Sequence, residues 1–249
     1  MSSIVINAMI PARAGSERLK FKNLRLLRGK PVISYAIEAA KTSGVFDSVR
    51  VNSEHPIFET LAKRHDVGFH LRPIALGSSE ARSDDVVADF MRAVPGDILV
   101  WVNPIAPLQP AEEIRQVVEH FAASDLDTLI TVKQEQVHCL YQDKPINFSL
   151  EGLFAKTQDL IPVQAMVYSL MMWRYDSFLP FYERHGYALM SGKVGYYAVQ
   201  PRSCLILKYE NDLQMMAALL EAEANGGESG YDPLVDQALA MKSPNGEEN

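Results

Sequence analysis

Short apolar runs alternate with amphipathic stretches along most of the chain. Ile4 to Ile10 reads as a β-strand that stops at Pro11, and polar and basic residues then lead to Pro31. Proline suits the first position of a helix, so a helix is predicted from Pro31 to Lys41, closed by Gly44. Val49 to Asn52 predicts a second strand, Pro56 to about Arg64 a second helix, and Phe69 to Leu71 a third strand. Ser83 is a good N-cap for a helix from Asp84 to Ala93. Ile98 to Val102 shows almost no alternation, as expected of a strand covered on both faces, which predicts a central place. A helix from Pro110 to about Ala123 and a strand from Thr128 to Val132 continue the strand–helix alternation. The pattern predicts an α/β domain with a mostly parallel sheet, right-handed crossovers and helices on both faces.

The rhythm changes at Lys133. From there to Arg174, short β-like pieces are separated by polar turns containing Asp143-Lys144-Pro145 and Glu151-Gly152, which predicts a hairpin excursion from the main sheet. Such an extension commonly carries an oligomer interface. A helix from Ser177 to about His185, a strand from Gly195 to Val199 and a helix beginning near Glu210 complete one domain over residues 1–249. Residues 243–249 read as a polar, mobile tail.

Composition narrows the function. Lys and Arg number 24 against 31 Asp and Glu, a formal charge of -7, so no global positive field gathers nucleic acid, and an anionic ligand needs a local basic cluster. Cys139 and Cys204 match neither a zinc spacing nor a disulfide framework, which suits a reducing compartment and a cytoplasmic location. The N-terminus lacks a basic n-region and a long apolar core, and no apolar stretch approaches the roughly 20 residues that span a bilayer, so neither a signal peptide nor a membrane segment is expected.

One local basic cluster stands directly after the first strand: Ile10-Pro-Ala-Arg-Ala-Gly-Ser-Glu-Arg-Leu-Lys-Phe-Lys-Asn23. In open α/β sheets, ligands bind outside the carboxyl ends of the strands. A Gly15-Ser16 turn there leaves backbone amides free, while Arg13, Arg18, Lys20 and Lys22 supply positive charge. That is a seat for a triphosphate. The bland alternative is a solvated basic surface loop. Gly-x-Gly-x-x-Gly and Gly-Lys-Ser/Thr are both absent, which removes the dinucleotide fingerprint and the Walker A loop.

The order of residues favours the triphosphate. Pro11-Ala-Arg-x-Gly-Ser-x-Arg-Leu-x-x-Lys-Asn23, then Leu27-x-Gly-Lys-Pro-Val-Ile33, resembles the opening of the acylneuraminate (CMP-sialate) cytidylyltransferases. Arg72-Pro73, Ser83-Asp-Asp-Val-Val87 and Pro104-x-x-Pro-Leu108 also fall in that family's order. The resemblance implies a Rossmann-like nucleotidyltransferase fold with a protruding hairpin subdomain over residues 133–174 that makes a homodimer. It implies attack of an acidic sugar's anomeric hydroxyl on the α-phosphorus of CTP, normally with Mg²⁺, and release of pyrophosphate. By the same resemblance, Arg13, Ser16 and Lys22 contact the triphosphate, and Ala12 and Gly15 also belong to the CTP-binding set. Asn23 and Arg72 read the cytosine or ribose, and Ser83 lies beside the base.

The chain also departs from that family. An Asp-x-Asp element that holds the metal falls here on Ile206 and Lys208, which removes two hard oxygen ligands. Three readings stay open. Lys208 replaces the metal's charge and joins Arg13 and Lys22 as a catalytic group, Glu210 or Asp212 supplies a shifted ligand, or the protein binds nucleotide without turning it over. Asp212 also suits a first-turn helix carboxylate. On the sugar side, Asn103 stands where the family tends to have Gln, Lys156 where a carboxylate-binding arginine is expected, and Gln158 keeps the pattern. Tyr168 replaces part of an Asn-Gly-aromatic sequence. Lysine does not reproduce arginine's planar fork, so the sugar acid stays unspecified. The six histidines show no ligand spacing.

Overall fold

In the computed structural model, which describes residues 4–15, 19–226 and 231–235, the first apolar run forms β1 (Ile6–Pro11). A small hairpin of β2 (Leu26–Leu27) and β3 (Lys30–Pro31) follows, turned by Arg28 and Gly29, both with positive φ, and leads into α1 (Val32–Ser43). Pro31 caps α1, and Gly44, at φ 70°, ends it in the left-handed conformation glycine adopts without penalty. The chain continues through β4 (Ser48–Ser53), α2 (Ile57–Arg64), β5 (Gly68–Leu71), α3 (Ser83–Ala93), β6 (Ile98–Val102), α4 (Ala111–Ala123) and β7 (Thr128–Glu135). After the two-residue strands β8 (Leu140–Tyr141) and β9 (Lys144–Pro145) come β10 (Val163–Arg174), α5 (Tyr175–His185), β11 (Val194–Ala198) and α6 (Glu210–Asn225).

Seven strands make one sheet in the order β11-β7-β10-β6-β1-β4-β5. Every neighbouring pair is parallel except those of β10, which runs antiparallel to both β6 and β7. One face is packed by α1 and α4, where Ile33, Ile37, Val117 and Phe121 meet Ala8, Val51 and Val100. The other face is packed by α3 and α5, where Val87, Phe90 and Phe178 meet Met9, Leu99 and Trp173. Cover on both sides explains the unbroken apolar run of β6.

Two details differ from the sequence expectation. Ser83 is the first helical residue of α3, not its cap; Arg82 holds the cap position in extended backbone and bonds the Asp85 carboxylate at 2.6 Å. The excursion is also narrower than residues 133–174. β7 runs on to Glu135, and Leu170 to Trp173 are buried sheet positions between β6 and β7. A bulge between Met166 and Met171, with Tyr168 at φ 55°, divides β10 into an outer exposed half and an inner buried half. That break hid a twelve-residue strand from a search for alternation. Residues 136–162 form the protrusion, held partly by the His138, Phe148 and Phe154 rings.

Candidate active site

From β1 the chain moves outward to β4 and β5, and it then returns to place β6 on the opposite side of β1. This reversal of strand order opens a crevice beyond the carboxyl ends of β1 and β6, where α/β sheets bind ligands. A cavity of about 220 Å³ lies there. Ala12, Arg13, Lys22, Asn23, Arg72 and Ser83 all line it, drawn from four separate stretches of chain. Leu76, Ala81, Val86, Trp101 and Ile105 supply a more apolar wall. Gly15 is exposed and does not line it, Lys20 is exposed, and Ser16 and Arg18 lie outside the described residues. A larger hollow of about 470 Å³ sits near Lys41, Ser48 and Gly68, at the amino ends of β4 and β5, the wrong end of the sheet for a ligand site of this kind.

The loop after β1 is fastened from below. The Ala12 amide donates to Asn52 O at 2.9 Å, extending the parallel ladder, and the Ala14 amide donates to Glu54 Oε1 at 2.8 Å. These two amides, which precede the Gly15-Ser16 turn, are therefore engaged by protein. Arg72, only 5% exposed, spans the same region: its Nη2 donates to Ala12 O at 3.0 Å and to Glu54 Oε2 at 2.8 Å. Burial pushes the Glu54 carboxyl up, but its hydrogen bonds from Ala14 and Arg72 outweigh this and hold it below the ordinary range. Burial also pulls the Arg72 guanidinium down, against the raising effect of Glu54. Arg13 Nη1 donates to Ser78 O at 3.4 Å, joining two residues of the lining. Glu54 escaped the sequence reading, although a carboxylate at the carboxyl end of the strand beside β1 was its available signal.

Asn103 and Tyr168 meet at the carboxyl end of β6. The Asn103 amide nitrogens donate to Ser169 O at 3.0 Å from the backbone and to Tyr168 O at 3.1 Å from the side chain. Lys156 and Gln158 are exposed on the protrusion, where the Gln158 carbonyl accepts from Gln136 Nε2 at 2.9 Å. Neither lines the cavity.

The segment before α6 runs beside the cavity because the Leu207 amide donates to the carbonyl of Ile105, a lining residue, at 2.8 Å. Lys208 follows immediately and is exposed. Asp212 Oδ2 accepts the Lys208 and Tyr209 amides at 2.7 and 2.8 Å and closes the first turn of α6. Glu210 pairs with Arg25 at 2.6 Å. Magnesium needs an octahedron of oxygens and usually one or two available carboxylates. Glu54, Glu210 and Asp212 are each engaged by protein donors, and among the described residues no three His, Cys, Asp or Glu side chains gather to hold an ion. His70, beside Arg72, contacts Asp89 at 2.8 Å and the edge of Phe90, a packing role.

A family model described as "Cytidylyltransferase" matches residues 7–224, which include both the loop and the segment before α6. The chain belongs to the cytidylyltransferase family. It is 26% identical over 191 residues to the N-acylneuraminate cytidylyltransferase of Streptococcus agalactiae serotype III, covering 76% of this chain and 43% of that one. It is 34% identical over 119 residues to the pseudaminic acid cytidylyltransferase of Campylobacter jejuni, covering 45% of this chain and 51% of that one. The chain thus spans less than half the length of the streptococcal relative. Among solved structures, a CMP:2-keto-3-deoxy-manno-octonic acid synthetase complexed with CTP superposes with a TM-score of 0.66 at 15% identity, covering 88% of this chain and 99% of that one. A 4-diphosphocytidyl-2C-methyl-D-erythritol synthase from Anaerococcus prevotii gives 0.62 at 12%, with the same coverage. These two likenesses establish the nucleotidyltransferase fold. Among the described residues of this family member, no helix is long and apolar enough to cross a membrane.

Proposed function

We propose that this cytidylyltransferase transfers CMP from CTP to a nonulosonic or related 2-keto-3-deoxy sugar acid and releases pyrophosphate. One observation carries the reading: Ala12, Arg13, Lys22, Asn23, Arg72 and Ser83, far apart in sequence, converge on one cavity at the sheet's switch point. The cationic edge at Arg13 and Lys22 receives the triphosphate, and the apolar wall receives the flat base. The anomeric hydroxyl oxygen gives its proton to solvent and forms a bond to the α-phosphorus as the bond from that phosphorus to the α–β bridging oxygen breaks, and the electron pair leaves with pyrophosphate. Arg13 and Lys22 neutralise charge that builds on the phosphate oxygens, and Lys208 adds a cation from the segment pinned to Ile105. Asn103 and Tyr168, joined at the end of β6, and Lys156 and Gln158 on the protrusion are assigned to the sugar. A second copy of the chain covering the exposed Leu150, Leu153, Phe154 and Ile161 of the protrusion would bring those last two residues toward a site, and sedimentation velocity tests the dimer.

Pyrophosphate release is the test, with CTP, a panel of 2-keto-3-deoxy acids, and parallel assays with Mg²⁺ and with chelator. Turnover with at least one acid supports the proposal, and none with any acid under either condition refutes it. The engaged state of Glu210 and Asp212 favours one alternative, binding of nucleotide without turnover. Calorimetric CTP binding with no pyrophosphate would select it.

A further inference from the structure

Four buried side-chain polar atoms among the described residues lack a hydrogen-bond partner: Asn23 Oδ1, Asn52 Oδ1, Arg72 Nε and Trp101 Nε1. Three of them belong to residues that line the same cavity. Folded proteins rarely leave such atoms unmatched, and clustering around one hollow marks places where a ligand completes the set. Asn23 and Arg72 already carry nucleotide assignments. Trp101 does not, and its indole can only donate.

Trp101 sits on β6, with its ring edge-on to Trp173 at 6.5 Å between centroids. The Trp173 indole is satisfied by Leu189 O at 3.0 Å, so the two tryptophans of the chain differ in the one respect that matters. Trp101 packs in one apolar cluster with Val86, also a lining residue, whereas the formal charges of the lining sit on Arg13, Lys22 and Arg72. A neutral donor on an apolar wall suits a base better than a phosphate. Cytosine presents a carbonyl oxygen and a ring nitrogen as acceptors and an amino group as donor, which complements two orphan donors and one orphan acceptor.

We infer that Trp101 is a specificity-determining residue whose indole N–H donates to the 2-carbonyl oxygen of the bound pyrimidine. The inference rests on the CTP reading above. A site built around such a donor discriminates against a ligand lacking the acceptor.

The test compares CTP with 2-thio-CTP, whose sulfur is a weak acceptor, by calorimetry on the full chain. The wild-type protein should bind the thio analogue about tenfold more weakly, the scale of one neutral hydrogen bond in a buried site. Trp101→Phe keeps a ring, removes the donor, and should bind CTP about tenfold more weakly with no further loss to the thio analogue. Trp173→Phe leaves Trp101 as the sole tryptophan, and its emission should change saturably with CTP. Equal thio penalties in wild-type and Trp101→Phe overturn the inference while leaving CTP binding intact. Failure of the wild type to bind CTP overturns the functional reading and this inference together. If Trp101→Phe does not fold, the wild-type thio penalty and the emission change decide, and absence of either one overturns the inference.

Discussion

Replacing Glu54 with Gln removes one charge of the pair that fastens the loop after β1. Arg72 Nη2 and Glu54 Oε2 stand 2.8 Å apart, and their side chains are 4% and 11% exposed. At an effective dielectric of about 20, charges at that spacing attract by about 6 kcal/mol. Taking both out of water opposes several kcal/mol of this, which leaves a net coupling of about 2–3 kcal/mol. Glu54→Gln alone strands a buried guanidinium beside Ala12 O and should destabilise the fold by about 3 kcal/mol, and Arg72→Met should act similarly. The double variant should fall short of additivity by the coupling energy. Urea unfolding at pH 7 measures all four proteins. Additivity within about 0.5 kcal/mol would mean that the pair does not act as a unit. Acid gives an independent check. The folded pKa of Glu54 is lowered, so its contribution is complete above the unfolded value of about 4.3 and is lost as pH falls through the folded value. The wild type should therefore lose stability below about pH 4.3 by an amount that Glu54→Gln lacks; identical acid profiles would refute the assignment.

Arg13→Ala should weaken CTP binding by about 10–100-fold, the loss of one charge-assisted hydrogen bond, and calorimetry reads it directly. Lys208→Ala should lower kcat by about 100-fold with a much smaller change in CTP affinity, since the proposed cation acts on developing charge; unchanged pyrophosphate release would remove Lys208 from the mechanism. Asp212→Ala should cost about 1–2 kcal/mol in urea unfolding, because two amides lose their cap, and should leave CTP affinity within about twofold. A collapse of activity at unchanged stability would instead make Asp212 a ligand.

Much of this chain was legible locally. The doubly covered β6, the helix start at Pro31 and the glycine stop at Gly44 each reside in a window of a few residues, and each formed near its expected place. The six cavity residues named in advance were found through the order of short motifs. The rest depended on pairings between remote segments. β10 took its antiparallel place only because β6 and β7 left a gap between them, and its bulge at Tyr168 erased the alternation that would have announced it. Arg72 met Glu54 and Ala12 across two strand crossovers, and the segment before α6 was joined to the cavity residue Ile105 by a hydrogen bond from the Leu207 amide, 102 residues later. Trp101 read as one more apolar residue of a central strand. Which tryptophan keeps an unmatched N–H is a property of neighbours, and neighbours across a sheet are set by tertiary packing.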